Sequence, residues 1–147
     1  VIREERSAGF WQAIVDHPQV AHIKMGLPLD MADLVAHERV VPLASENGGF
    51  LFCQLDGLGR VFELHTMFRP EGWGREVASS AKEAFAAMFV RGAQVITTFE
   101  VDGWAAPPLS FGWRPAGEFA ETDIGSVRTW VLTRVDWETS PARRRMH

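Results

Sequence analysis

Apolar residues recur along this chain at two spacings, and the change from one to the other marks out its elements. Over residues 4–17, Phe10, Trp11, Ile14 and Val15 mix with charged positions at near-helical spacing until Pro18 interrupts them, which predicts an amphipathic helix. Asp30 can cap a short helix over residues 31–37, with an extended segment at 40–43 behind it. Residues 49–55 and 60–68 are apolar, strand-like runs separated by Asp56-Gly57-Leu58-Gly59, a hairpin signature. Side chains alternate along a strand, so Glu63 and His65 share one face of the second run while Phe62, Leu64 and Thr66 share the other. Helical spacing returns over residues 73–91, where Val77, Ala81, Ala84, Phe85, Met88 and Phe89 form one stripe and Gly92 can end the helix. A β-rich run at 93–101 completes a strand, helix, strand unit, which predicts a right-handed crossover between parallel strands. Pro107-Pro108 prevents a long helix after it. A short extended piece is expected around residues 117–119, and the last strand over 127–136.

Composition narrows the picture. The chain has 147 residues, 46% hydrophobic and 23% charged, which predicts a single domain spanning 1–147 with its own core. A net charge of -4 argues against nucleic acid as the main partner, since that mode of binding needs a basic face. Arg143-Arg144-Arg145 reads as part of a solvated basic tail over residues 140–147. The lone Cys53 excludes an intrachain disulfide and, beside Phe50, Leu51 and Phe52, reads as a buried strand residue. The five histidines show no metal-ligand spacing, so no metal is expected. No apolar run is long enough to span a membrane and no cleavable signal is visible, so the expected compartment is the cytoplasm.

One stretch suggests chemistry. Arg69-Pro70-Glu71-Gly72-Trp73-Gly74 lies between a predicted strand and a predicted helix. A glycine-containing turn there lets backbone N–H groups point at an anion, and the positive end of the helix dipole adds to their pull. The expected ligand is therefore phosphorylated, with Arg69 and Arg75 able to add side-chain charge. The plainer reading is a tight turn with Arg69 exposed. A dinucleotide site of the Rossmann kind is disfavoured, because only one crossover is present and a third glycine is missing.

Hairpin strands, glycine turn, helix, strand, glycine-aromatic turn and final strand in this order resemble the GNAT N-acetyltransferase family over about residues 49–137. Arg69, Gly72 and Gly74 match that family's Arg/Gln-x-x-Gly-x-Gly/Ala motif, and Gly112-Trp113 with Gly117-Glu118-Phe119 resembles its late turn and strand. Residues 130–137 resemble its terminus, and Glu63-Leu64-His65-Thr66 is similar to divergent members encoded by phages and prophages. The resemblance implies an α+β (α/β) fold with a mixed, twisted and splayed β-sheet flanked by helices. It implies acetyl-CoA as the cofactor, its pantetheine arm lying along residues 60–68 beside Leu64, Thr66, Met67 and Phe68, and its pyrophosphate on Arg69, Gly72, Trp73, Gly74 and Arg75. Trp73 would pack on the helix or cover the cofactor. The implied reaction is direct transfer of an acetyl group to an amine-bearing small molecule or protein, and a homodimer is left open.

Acetyl transfer to an ammonium needs a base, and the sequence offers His65 and Glu63 equally, with Glu100 on the neighbouring strand as a third candidate. Histidine titrates near neutrality, whereas a carboxylate needs a raised pKa or a relay water. Family members commonly use a tyrosine as the acid for the departing thiolate. This chain has no tyrosine, Pro108 falls at about that place, and the nearby Ser110 is a poor acid. Two other readings follow: a protein that binds acyl-CoA without transferring it, and a phage assembly accessory whose six tryptophans and ten phenylalanines supply an interaction patch. The resemblance puts the acceptor near residues 10–33 and 120–126, where Asp30, Asp33, Glu121 and Asp123 could attract a cationic amine or simply be solvated acids.

Overall fold

The computed structural model describes residues 1–20, 30–103 and 106–146. Apolar alternation in the middle of the chain builds strands β2 (Val40–Ala44), β3 (Gly48–Gln54) and β4 (Val61–Phe68), each antiparallel to the one before. The helical stripe becomes α3 (Arg75–Val90), which returns the chain to β5 (Val95–Val101), parallel to β4 as expected. Strands β6 (Arg114–Thr122) and β7 (Gly125–Thr133) form a final hairpin, and a two-residue β1 (Arg3–Glu4) pairs with β2. All seven form one mixed sheet in the order β1-β2-β3-β4-β5-β7-β6.

Each face of the sheet carries its own core. On one side Phe85, Met88 and Phe89 of α3 pack on Phe50, Phe52, Phe62, Leu64 and Phe68. The Phe85 ring meets Trp113, Phe111 and Trp137 edge-on at 5.7, 5.8 and 5.8 Å, a geometry aromatic quadrupoles favour. On the other side α1 (Ala8–Val15) and α2 (Met31–Ala36) bury Trp11, Ile14, Val15, Met31 and Val35 against Val40, Leu51 and Met67. Trp11 lies so close over β3 that a Cβ on Gly49 would stand 2.7 Å from its ring, so a glycine is required there. Asp30 caps α2 as expected, its carboxylate accepting the Ala32 N–H at 2.9 Å.

Several boundaries differ from expectation. The first helix begins at Ala8, because Arg3 and Glu4 pair with Ala44 and Leu43 as a strand instead. The extended piece at 117–119 is the bulged centre of the longer β6. The last strand stops at Thr133, whose hydroxyl accepts the Asp136 N–H at 3.1 Å and so caps α4 (Arg134–Glu138), which buries Trp137. The basic terminus is exposed at Arg144 and Arg145, yet it is anchored: α5 (Pro141–Arg144) is capped by Ser140 and buries Ala142. Cys53 is half-buried rather than buried. No described helix is long and apolar enough to cross a membrane. Part of the segment expected to meet the acceptor, residues 21–29, lies outside the described residues.

Candidate active site at the split between two strands

Strand β4 has one edge paired throughout and one that is not. Its register with β3 runs from Gln54↔Phe62 to Gly48↔Phe68, whereas its register with β5 ends at Glu63↔Thr97. The Leu55 N–H to Val61 C=O bond of 2.9 Å fixes the antiparallel phase. Main-chain groups of odd-numbered residues therefore point at β3, and those of Leu64, Thr66 and Phe68 point into the gap that opens beside β5. Two of these carbonyls are met by side chains: Thr98 Oγ1 donates to the Leu64 C=O at 3.1 Å and Trp73 Nε1 to the Phe68 C=O at 3.1 Å. Trp73 thus packs near Phe68 of β4 with 43% of its surface exposed. Met67 differs from its expected role, since its main chain faces β3 and its side chain is buried in the α1/α2 core.

The wide end of the gap meets the start of α3. Gly74 caps that helix with φ +95°, a conformation open to glycine, and a Cβ there would project into empty space. Among the described residues no side chain caps this helix N-terminus, which leaves its first N–H groups without a cap. The N–H groups of Gly72 and Trp73 are already used, by the carbonyls of Arg69 and Pro70 at 2.9 and 3.2 Å in a 3₁₀ turn (Pro70–Gly72). The main-chain donors left open are thus those from Gly74 onward. Among the described residues neither the Arg69 nor the Arg75 guanidinium has a hydrogen-bond or ion-pair partner. Glu76 turns away, accepting from Ser45 Oγ, the Asn47 N–H and Asn47 Nδ2, each at 2.8 Å. Burial pushes this carboxyl upward, but hydrogen bonds from Asn47 and Ser45 outweigh it and hold the pKa below the ordinary value. An open edge of main-chain groups running into an uncapped helix start fits an extended chain that ends in a phosphate.

Glu63 and His65 meet on the α1/α2 face, with His65 Nε2 3.0 Å from Glu63 Oε2 and side-chain exposures of 40% and 25% for histidine and glutamate. Cys53 lies directly across from Glu63. Burial, followed by the Glu63 charge, pushes its thiol pKa up, which keeps it protonated and a weak nucleophile. An open cavity of about 540 Å³ continues from Cys53 past Val40 to Leu34, Asp33 and His37.

Glu100 is not brought to this pair. Parallel register with β4 puts Ile96, Thr98 and Glu100 on the α3 face, whereas Glu63 and His65 occupy the opposite one. Glu100 is 5% exposed and accepts the Trp130 indole N–H at 2.8 Å. Past β5, where Pro107-Pro108 was expected to prevent a long helix, the chain forms a 3₁₀ turn (Leu109–Phe111) with Ser110 exposed on it. Sequence reasoning missed Thr98 and the tie from Glu76 to Asn47. The first depends on where β5 leaves β4, and the second joins residues far apart in the chain.

No protein-family model matches the sequence, and no curated protein matches it. Solved structures do match its shape. Spermidine N-acetyltransferase from Vibrio cholerae, in complex with CoA and spermine, superposes with a TM-score of 0.70 at 11% identity, covering 93% of this chain and 96% of that one. An acetyltransferase of the GNAT family from Bacillus anthracis gives 0.66 at 16% identity, with 90% and 93% covered. The putative acetyltransferase yncA from Salmonella typhimurium, solved with acetyl-CoA, gives 0.68 at 16% identity, with 90% and 92% covered. The seven-stranded mixed sheet flanked by helices is the GNAT acyl-CoA N-acyltransferase fold.

Proposed function

We propose that this chain is an acetyl-CoA-dependent N-acetyltransferase that moves an acetyl group directly to an amine. The observation that carries the reading is the gap between β4 and β5, which opens beside Leu64 and runs to the uncapped start of α3. Neighbours of the same fold described with CoA, acetyl-CoA and spermine support the ligand and the amine acceptor. Main-chain groups of Leu64, Thr66 and Phe68 would hold the extended arm. The N–H groups from Gly74 onward, with Arg69 and Arg75, would hold its phosphates, while Gly72 lets the turn pass close to Phe68. Bound there, acetyl-CoA supplies an acyl group activated as a thioester.

The chain itself supplies orientation and proton transfer. A main-chain N–H of the open β4 edge polarises the carbonyl, a preorganised donor worth about 2.7–4 kcal/mol in comparable sites. His65 accepts the ammonium proton while Glu63, at 3.0 Å, fixes the orientation of the ring. Half-exposure lets that proton pass on to water. The half-buried, protonated Cys53 offers no acyl-enzyme route, which favours direct transfer.

A thermal-shift titration with acetyl-CoA, CoA and ATP tests the reading. Ligand at about 100 times its Kd adds roughly 2.7 kcal/mol, or about 6–10 °C, for both CoA species. Gly74→Val should abolish that shift, since its side chain enters the open space and strains a positive φ. Acetylation of a di- or polyamine then completes the assignment. Bound CoA with no turnover across a broad amine panel supports the alternative of a non-catalytic acyl-CoA binder, which the absence of tyrosine and the 3₁₀ turn at Leu109–Phe111 favour. No shift at millimolar CoA overturns both, and leaves the accessory role suggested by the likeness of Glu63-Leu64-His65-Thr66 to phage-encoded members.

A further inference from the structure

Thr98 stands where the two strands part. Its hydroxyl crosses from β5 to β4 and donates to the Leu64 C=O at 3.1 Å, one residue beyond the last paired position, Glu63↔Thr97. The residue is half-buried, and its hydroxyl meets β4 at the point from which the gap opens. We infer that Thr98 is a catalytic residue whose hydroxyl donates a hydrogen bond to the departing thiolate, the role for which this chain has no tyrosine. The inference rests on the acetyl-CoA reading above.

Length places the sulfur there. The arm between phosphate and sulfur is a chain of about a dozen bonds containing two amides, equivalent to about four extended residues, or ~13 Å at 3.3 Å per residue. Measured back along β4 from Phe68, beside the phosphate cradle, that length ends at Leu64 and hence at Thr98. Ser110 is the other hydroxyl the sequence offered, but it is exposed on its 3₁₀ turn and makes no hydrogen bond to β4 or β5 among the described residues.

The chemistry needs a donor at this point and no more. Acyl transfer forms one N–C bond and breaks one C–S bond, and the electron pair of the broken bond goes to sulfur. Nitrogen gives up two protons, one from the ammonium before attack and one from the adduct as the C–S bond breaks; both leave through the Glu63–His65 pair to water, so the leaving sulfur departs negative and takes a proton from solvent on release. A threonine hydroxyl is too weak an acid to surrender its proton, but it can rotate about χ1 from the Leu64 carbonyl to a sulfur anion, an acceptor charged hydrogen bonds favour. Rotation also frees the Leu64 carbonyl for an amide N–H of the arm, so neither group loses a partner.

The test is a pH titration of the thiol of CoA bound to the protein, read by thiolate ultraviolet absorbance, for wild type, Thr98→Val and Thr98→Ser. Valine keeps the shape and removes the donor; serine restores the donor. With Thr98→Val the pKa of the bound thiol should rise by about one pH unit and kcat should fall about tenfold, with desulfo-CoA affinity unchanged. Thr98→Ser should return both values toward wild type. An unchanged thiol pKa in Thr98→Val overturns the inference and leaves the acetyl-CoA reading intact. Equal losses of affinity for CoA and desulfo-CoA also overturn it, since Thr98 then only closes the sheet. Failure of wild type to bind CoA overturns both.

Discussion

Glu63 and Glu100 sit on adjacent strands of one sheet, and their surroundings give them opposite characters. Glu63 faces α1 and α2, is 25% exposed and has a titratable partner, His65, at 3.0 Å. Glu100 faces α3, is 5% exposed and accepts a hydrogen bond from the Trp130 indole, a group that donates and never accepts. Closure of the layers accounts for the difference. A 16-residue helix and an aromatic cluster centred on Phe85 seal the α3 side, whereas on the other side Phe99 of β5 remains 44% exposed. Proton exchange with solvent and substrate needs an open layer and a partner that can change charge, and the α1/α2 face has both. A carboxylate on the sealed face serves instead to satisfy a buried indole.

The contrast is broken most directly by removing each carboxylate in turn and measuring turnover. Glu63→Gln or His65→Ala should lower kcat at least tenfold, with melting temperature and CoA affinity near wild type, because both side chains are partly exposed and lie off the open β4 edge. Glu100→Gln, which keeps an acceptor for Trp130, should leave kcat within about twofold. Wild-type turnover in both Glu63→Gln and His65→Ala removes the proposed base, and a tenfold loss in Glu100→Gln would erase the distinction between the faces.

Stability should show the reverse order. Glu100→Leu leaves the Trp130 N–H buried without an acceptor, a loss of about 1–3 kcal/mol. Urea denaturation should register it as an earlier midpoint at unchanged slope. Glu63→Leu, at a partly exposed position where His65 can turn to solvent, should cost less, about 0.5 kcal/mol. A Glu100→Leu protein as stable as wild type would mean that the indole finds water and that the α3 layer is less closed than its packing indicates.

Local pattern reached much of this arrangement but not its long-range part. Alternation along residues 60–68 put Glu63 and His65 on one face, and they meet there; Asp30 capped its helix because capping is decided within three residues. Gly74 at the helix start was legible for the same reason. Glu100 was misjudged as a companion of Glu63, since proximity of strands says nothing about phase: that is set by the β4–β5 register, in which Glu63 lies across from Thr97. Thr98 carried no local signal either, as its importance comes from the residue at which two distant strands diverge. At the chain's end Thr133 caps α4 where the strand was expected to continue, and that helix carries Trp137 to Phe85 and Phe89, a contact between residues far apart in the chain.

Glu76 is a third carboxylate and sharpens the comparison at its smallest scale, since it is neither a proton-transfer group nor sealed in a core. Its hydrogen bonds from Asn47 and Ser45 tie the turn between β2 and β3 to the first turn of α3. Burial opposes its ionisation, yet those hydrogen bonds prevail and lower its pKa in the folded protein. The native state therefore binds this proton less tightly than the unfolded chain does. Its contribution is complete above the unfolded-state pKa of about 4.3 and is lost as pH falls through the lower native value. Urea midpoints for wild type and Glu76→Gln should accordingly differ at pH 7, wild type being the more stable, and converge as the pH is taken into the acid range. A gap that stays constant to the lowest pH at which the protein folds would show that the tie depends on hydrogen-bond geometry alone. Glu76 would then resemble Glu100, whose part is to accept a hydrogen bond, rather than Glu63, whose proposed part needs its charge.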